Sequence, residues 1–345
     1  MQEEAGRPTT RLRLVSADIG GPPNVQEVWS EFRDELRLRG LSSTTIAWYR
    51  SVILPFGRYI EAQYGPDGLY RATERDVRAF ERRGSETAGP RRLNHYTSGL
   101  RRFYEWLQEE GYAQKNPAAG IPKIREPRRL IKTLNEGQLR ALLQQPDRTR
   151  FVGLRDFIFI LLLLDTGLRL SEALGLKVAD VDTDLGVATV WGKGARERRV
   201  SLSPKLLAQL KRYLRAREAA LSVVGRPNSP WVFINDVGGK WSARGAQRRL
   251  KRYARQAGIQ GVRVSPHTLR HTFALAWVEA GGDVFTLQHI LGHSGLEMTR
   301  RYVNVSDAHV LAQHRKLSPL ETMDLPIRGA RMPRKALTVD QEGRT

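Results

Sequence analysis

Apolar positions recur with a helical period over most of this chain, beginning at Val25. Val28, Trp29, Phe32, Leu36 and Leu38 form a stripe at helical spacing, which predicts a helix that Gly40 ends. Ser42 or Ser43 then caps a second helix carrying Ile46, Tyr49, Ile53, Phe56 and Tyr59, and Pro55 within it is expected to cause a kink. A third helix opens at Thr73 with the capping-type start Thr-Glu-Arg-Asp. A fourth opens at Pro90 and runs through Tyr104 and Trp106 to Gly111. Short connections between them predict a small helical bundle over residues 24–112. Residues 1–23 are polar and rich in Gly and Pro, and read as a flexible N-terminal extension.

Residues 113–132, AQKNPAAGIPKIREPRRLIK, carry three prolines and several positive charges, and read as an extended linker between two domains. A second domain over residues 133–317 opens with Thr133-Leu-Asn-Glu136, a capping box ahead of Leu139, Leu142 and Leu143. Arg155 to Leu164 is almost wholly apolar and predicts a buried helix that ends at Gly167, with a new helix from near Ser171. Alternation in Val187–Val190 and Arg199–Leu202 predicts two strands joined by residues 191–198, where two glycines flank Lys193. Helices follow over Pro204–Leu221, Ala243–Gly258, His267–Gly281 and Val284–Leu291, and a short one from Ser306 to His314. The tail, residues 318–345, is polar and interrupted by proline, and is expected to be unstructured. The fold class is therefore mainly α with a small β-sheet: an N-terminal helical bundle followed by a mixed α+β domain.

At 345 residues the chain can hold two domains with separate cores, and 40% hydrophobic residues argue for a folded protein. Charge narrows the partner: 57 Lys and Arg against 36 Asp and Glu leave a formal +21, a footprint for a polyanion. Arginine far outnumbers lysine, which favours phosphate recognition over simple solvation. The absence of cysteine excludes disulfides and thiolate metal sites. No signal-peptide core is present, and the apolar run Phe157–Leu164 is too short to span a bilayer. The expectation is a soluble, cytoplasmic protein whose partner is double-stranded DNA rather than a membrane.

The chemistry lies in four short stretches: Thr166-Gly-Leu-Arg169-Leu-Ser-Glu172, Trp191-Gly-Lys193-Gly, Ser265-Pro-His267-Thr-Leu-Arg270-His271 and Leu291-Gly-His293 with Tyr302 nine residues on. Singly each has a bland reading, since an arginine can pair with a nearby glutamate and a lysine at a hairpin tip can serve solubility. Together they suit attack by a phenolic oxygen on a phosphodiester. Displacement at phosphorus puts extra negative charge on the non-bridging oxygens, and planar, permanently charged guanidinium groups match it. Arg169 and Arg270 are the candidates for that clamp, with Glu172 orienting Arg169. Tyr302 is the candidate nucleophile, and a phenol with an ordinary pKa near ~10 needs help to ionise. His267, three residues from Arg270 on one helical turn, is expected to be its base, and His293 to bond the phosphate or move the proton. Lys193 is expected to protonate the leaving 5′-oxygen as general acid. Arg196 and Arg198 in the same hairpin, and Arg91, Arg92, Arg101 and Arg102 on the fourth helix, are expected to contact DNA.

A metal is not called for. Asp180-x-Asp182-x-Asp184 resembles the start of a calcium loop, but Leu185 and Trp191 stand where glycine and glutamate are required, so a polar turn is expected. His267 and His271 have zinc-ligand spacing, yet Thr268 stands where an HExxH motif has its glutamate.

These four stretches resemble the tyrosine recombinases, the family of phage integrases and Xer-type recombinases, over roughly residues 25–317. The resemblance implies an N-terminal SAM-like core-binding domain and a catalytic domain of the DNA breaking-rejoining type. It also implies a 3′-phosphotyrosine at Tyr302, exchange through a Holliday junction, and no metal, cofactor or ATP. Four protomers would act on two DNA sites, as a homotetramer or a heterotetramer with a related recombinase, and the helix after Tyr302 would dock on a neighbour. The biological setting would be integration, excision or transposition of a mobile element, or resolution of chromosome or plasmid dimers. Two alternatives stand beside this one: a type IB topoisomerase-like relaxing enzyme, and a non-catalytic DNA-binding accessory factor.

Overall fold

In a computed structural model of the chain, residues 23–85, 88–126, 131–192 and 197–292 are described, with the single positions 295, 302, 314 and 318. The chain divides after residue 129 into two compact units. The extension at residues 1–22, the tail beyond 318 and most of the expected helix after Ser306 lie outside the described residues.

The first unit holds α1 (Val25–Leu38), α2 (Ser43–Tyr64), α3 (Gly68–Arg71), α4 (Glu74–Ser85) and α5 (Pro90–Glu109). Asn24 caps α1 through a reciprocal capping box with Glu27, and Ser42 caps α2. Pro55 lies inside α2 without ending it. The short α3 escapes the sequence pattern because one turn is too brief to show a period. Val28, Phe32, Ile53, Phe56, Leu100 and Phe103 are buried, with the Phe32 and Phe103 rings 5.3 Å apart and edge-on.

Residues 113–126 are not the free linker expected of them. Ala113, Ala118 and Ile121 are buried in this unit's core, and side chains of α5 hold the segment's backbone. Arg101 donates to the carbonyls of Ala118 (3.1 Å) and Ile121 (2.8 Å), and Asn94 bonds both the N–H and the carbonyl of Ile124. This corrects the DNA-contact expectation for Arg101, whose guanidinium is used to fix a proline-rich strap. Arg102 likewise pairs with Glu105 (3.2 Å) and Glu109 (3.1 Å). Arg91 stays exposed, and Arg92 donates to the Tyr96 hydroxyl at 3.0 Å.

In the second unit the helices are α6 (Glu136–Leu143), α7 (Phe151–Thr166), α8 (Leu170–Gly175), α9 (Pro204–Val223), α10 (Ala243–Gln256), α11 (Pro266–Glu279) and α12 (Val284–Leu291). Its three-stranded antiparallel sheet runs β1 (Val181–Asp182), β2 (Val187–Trp191), β3 (Glu197–Ser201) in that order, one strand more than the alternation predicts. The β2–β3 register pairs Val187 with Ser201 and Trp191 with Glu197. The Asp182 carboxylate accepts from the N–H groups of Asp184 and Leu185, so the aspartate-rich stretch is the polar turn expected. Asn135 rather than Thr133 caps α6, in a capping box with Gln138.

The apolar α7 packs against both α9 and α11 and is the centre of this core. Its only early charges are stapled in place. Asp156 accepts from Arg155 (2.9 and 3.0 Å), from the Tyr253 hydroxyl (2.8 Å) and from Arg249, tying α7 to α10. Breaking one partner of so buried a set strands the other. Among the described residues no helix is long and apolar enough to cross a membrane.

Phe159, 1% exposed, meets the rings of Phe233 and Trp241 edge-on at 5.2 and 5.1 Å. Phe159→Ala is expected to destabilise the second unit by about 3–5 kcal/mol, measured as a shift in the urea midpoint with unchanged slope.

Candidate active site

The site is built around two helix ends. α7 stops at Gly167, whose left-handed conformation (φ 62°) is one glycine adopts freely. A Cβ at this position would collide with the Phe273 ring and lie 2.8 Å from Leu291, so the α7 end, α11 and α12 can close together only over a glycine. Two residues on, Arg169 is the N-cap of α8 and Glu172 its third residue. The Glu172 carboxylate accepts the Arg169 backbone N–H at 2.8 Å, and again the Arg169 guanidinium at 2.8 Å. A capping interaction thus fixes the direction of the Arg169 side chain.

The second helix end is that of α12, which closes on Gly292 in the left-handed region (φ 63°). Three consecutive carbonyls there each receive one arginine. Arg198 Nε donates to Ile290 (3.0 Å), Arg270 to Leu291 (2.8 Å) and Arg169 to Gly292 (3.0 Å). Arg270 also donates to the Gly167 carbonyl at 2.7 Å and so bridges the two helix ends. A helix leaves its last carbonyls without intrahelical donors and carries partial negative charge there, which suits cations.

Glu172, its side chain 3% exposed, takes two further hydrogen bonds from Arg198 (3.0 and 2.8 Å). Burial alone would raise its pKa; the hydrogen bonds from Arg198 and from the Arg169 backbone, with the Arg198 charge and the Arg169 side-chain hydrogen bond, override burial and bring it down to about 2. Arg270 moves the other way for an arginine, down to about 10, because burial and the neighbouring Arg169 charge disfavour its charged form. Glu172 and Tyr302 oppose that shift.

The expectation that Arg198 faces DNA is corrected by this geometry. Its side chain is 8% exposed and its donors go to Glu172 and to the Ile290 carbonyl. The signal was present in the strand: Arg198 lies two residues from buried Val200, on the same face of β3. Lys193, Arg196 and His293 lie outside the described residues.

Arg169, His267 and Arg270 line one cleft of about 350 Å³, together with Gln247, Arg263 and Ser265. Gln247 and Arg263 carry no motif and are not found by sequence reasoning. Tyr302 is 5% exposed, its ring packed with Ala274, Leu287 and Leu291 of α11 and α12. Its hydroxyl meets Nδ1 of His271, not the His267 expected as its base. The rings of His267 and His271 stand edge-on at 4.1 Å. Among the described residues no group of three His, Cys, Asp or Glu side chains could hold a metal ion.

The sequence matches the phage integrase family over residues 132–309 and the phage integrase N-terminal SAM-like domain over residues 30–111. Among curated proteins, a tyrosine recombinase XerD of Lacticaseibacillus casei is 32% identical over 81% of this chain and 94% of its own length. One of Pseudomonas aeruginosa is 33% identical, over 84% and 96%. A tyrosine recombinase XerC of Oceanobacillus iheyensis is 31% identical, over 81% and 92%. The fold is that of the XerH site-specific recombinase bound to its difH substrate (TM-score 0.67, 21% identity, 85% of this chain and 84% of that one). It is also that of the Tn1549 transposon integrase in complex with a circular intermediate DNA (TM-score 0.66, 20% identity, 86% and 100%). The chain belongs to the phage integrase family, the tyrosine recombinases. Its activity is site-specific DNA recombination.

Because the folded-state pKa of Glu172 is depressed, its ionisation stabilises the fold fully above about pH 5 and progressively less as pH falls toward 2. Glu172→Gln is therefore expected to be less stable than the parent at pH 7, with the gap narrowing below pH 5. Thermal melts of both proteins from pH 7 to pH 3 measure this, and a gap that stays constant over that range contradicts the assignment.

Proposed function

We propose that the chain cuts and rejoins double-stranded DNA at specific sites through a 3′-phosphotyrosine on Tyr302. Arg169 and Arg270 grip the non-bridging oxygens of the scissile phosphate, with His267 beside them in the same cleft and His293 assisting. Lys193 protonates the departing 5′-oxygen. The observation that carries this reading is the convergence of Arg169, Arg270 and His267 on one cleft, with both guanidinium groups oriented in advance by helix carbonyls and Arg169 by Glu172 as well. Groups fixed before the substrate arrives need no reorganisation as charge develops on the phosphate.

The reaction acts in the cytoplasm on two DNA sites, through four protomers and a Holliday junction. Similarity to XerD and XerC proteins over more than 90% of their length favours resolution of chromosome or plasmid dimers over integration of a mobile element. The exposed Arg91 and Arg92 of α5, with Arg196, contact the DNA backbone.

Purified protein mixed, without metal or ATP, with nicked duplexes tiling its own gene's flanking DNA is expected to give a detergent-stable adduct at one discrete sequence. Tyr302→Phe should abolish the adduct while site binding stays within a few-fold. Adducts scattered over all sequences would favour a topoisomerase, and no adduct on any duplex would point to a missing partner protein, an absent site or an accessory factor. Arg169→Lys is expected to lower adduct formation by about 100-fold or more, because lysine cannot reproduce the bidentate grip. A wild-type rate from Arg169→Lys would remove that residue from the phosphate clamp.

A further inference from the structure

We infer that His271, rather than His267, receives the proton of the attacking tyrosine, an inference that rests on Tyr302 being the nucleophile. The Tyr302 hydroxyl meets His271 Nδ1, and the two rings lie 5.4 Å apart at an interplanar angle of 52°. The tyrosine ring is seated beside that contact. It is packed with Ala274, Leu287 and Leu291, and Val278 packs against the same cluster. His271, Ala274 and Val278 are spaced by three and four along α11, so one face of the helix both seats the ring and meets its hydroxyl.

The two histidines of this helix stand one turn apart with their rings 4.1 Å between centroids, and one of them lines the cleft. His267 lines the cleft with Arg169 and Arg270, whereas His271 is not among the residues of its wall. Among the described residues, charged and titratable groups near the pair include His267 on the same helix, at 4.1 Å between ring centroids, and Arg270, whose pKa Tyr302 influences.

The step balances without an added reagent. With Nε2 protonated, Nδ1 is an acceptor and the tyrosine O–H donates to it. As the phenolic oxygen forms its bond to phosphorus, the proton passes to Nδ1, and His271 becomes an imidazolium. The bond from phosphorus to the 5′-oxygen breaks, and that oxygen takes a proton from Lys193. In the rejoining step the incoming 5′-hydroxyl attacks, and the imidazolium returns its proton to the departing tyrosine oxygen.

The test uses the full chain and the duplex recovered by trapping, synthesised with either oxygen or sulfur at the bridging 5′ position. A thiolate leaves without a proton, so sulfur rescues a lost general acid but not a lost base. His271→Ala is expected to form the adduct about 100-fold more slowly on both duplexes. Lys193→Ala should be slow on the oxygen duplex and recover on the sulfur one. His271→Asn, whose amide oxygen can occupy the Nδ1 position without accepting a proton, should stay slow while binding DNA normally. It also covers the case in which His271→Ala fails to fold.

A wild-type rate in His271→Asn would overturn the inference by showing that only a hydrogen bond is needed. Sulfur rescue of His271→Ala would do the same by moving the residue to the leaving-group side. Persistence of the adduct in Tyr302→Phe would instead overturn the nucleophile assignment beneath it.

Discussion

Three arginines from three separate elements end on three successive carbonyls of α12, and the geometry of the cleft follows from that arrangement. Guanidinium groups brought this close repel one another, and the Arg169 charge adds to burial, the larger cause, in lowering the pKa of Arg270. Two sources of negative charge hold them together before any phosphate arrives: the carbonyl end of α12 and the single carboxylate of Glu172. A phosphodiester entering the cleft adds a third. The guanidinium groups are therefore oriented in advance for an anion, which is what electrostatic preorganisation requires.

The two glycines that close the flanking helices make this possible. At Gly167 no side chain could fit between Phe273 and Leu291, and its carbonyl is one of the two acceptors for Arg270. At Gly292 an added Cβ would sit 3.1 Å from the Arg198 guanidinium, against the group that holds Glu172. Backbone conformation and electrostatics are coupled here through specific contacts. The same coupling ties β3, and with it the hairpin to which Lys193 belongs, to the arginine pair on which the phosphate is proposed to sit.

Much of this was legible in the residues. Long helices with a clear period, such as α9, α10 and α11, fall close to where the pattern put them, because their apolar faces are set by local spacing. What was hidden depends on partners distant in sequence. The sequence reads Thr133 as the cap, yet Asn135 takes the role, while the Thr272 hydroxyl on α11 accepts the Leu134 N–H at 3.1 Å. The strap at residues 113–126 reads as a linker because prolines and charges dominate it. Its anchors are Asn94 and Arg101, whose side chains reach its backbone from α5. Arg198 was readable, since strand alternation sets it beside Val200 rather than with solvent-facing neighbours, but the basic hairpin around it suggested DNA.

The spacing of His267 and His271 was visible too, and Thr268, standing where an HExxH motif has its glutamate, argued against a metal. Its meaning lies in which groups around Tyr302 can accept a proton at all. Glu172 cannot: four hydrogen bonds from two arginines hold its pKa at about 2, far too low to deprotonate a phenol. An imidazole is neutral when it accepts and carries its charge only after the tyrosine has given up its proton. A histidine on the tyrosine side of α11 thus supplies a base without cancelling the positive field that the three arginines create.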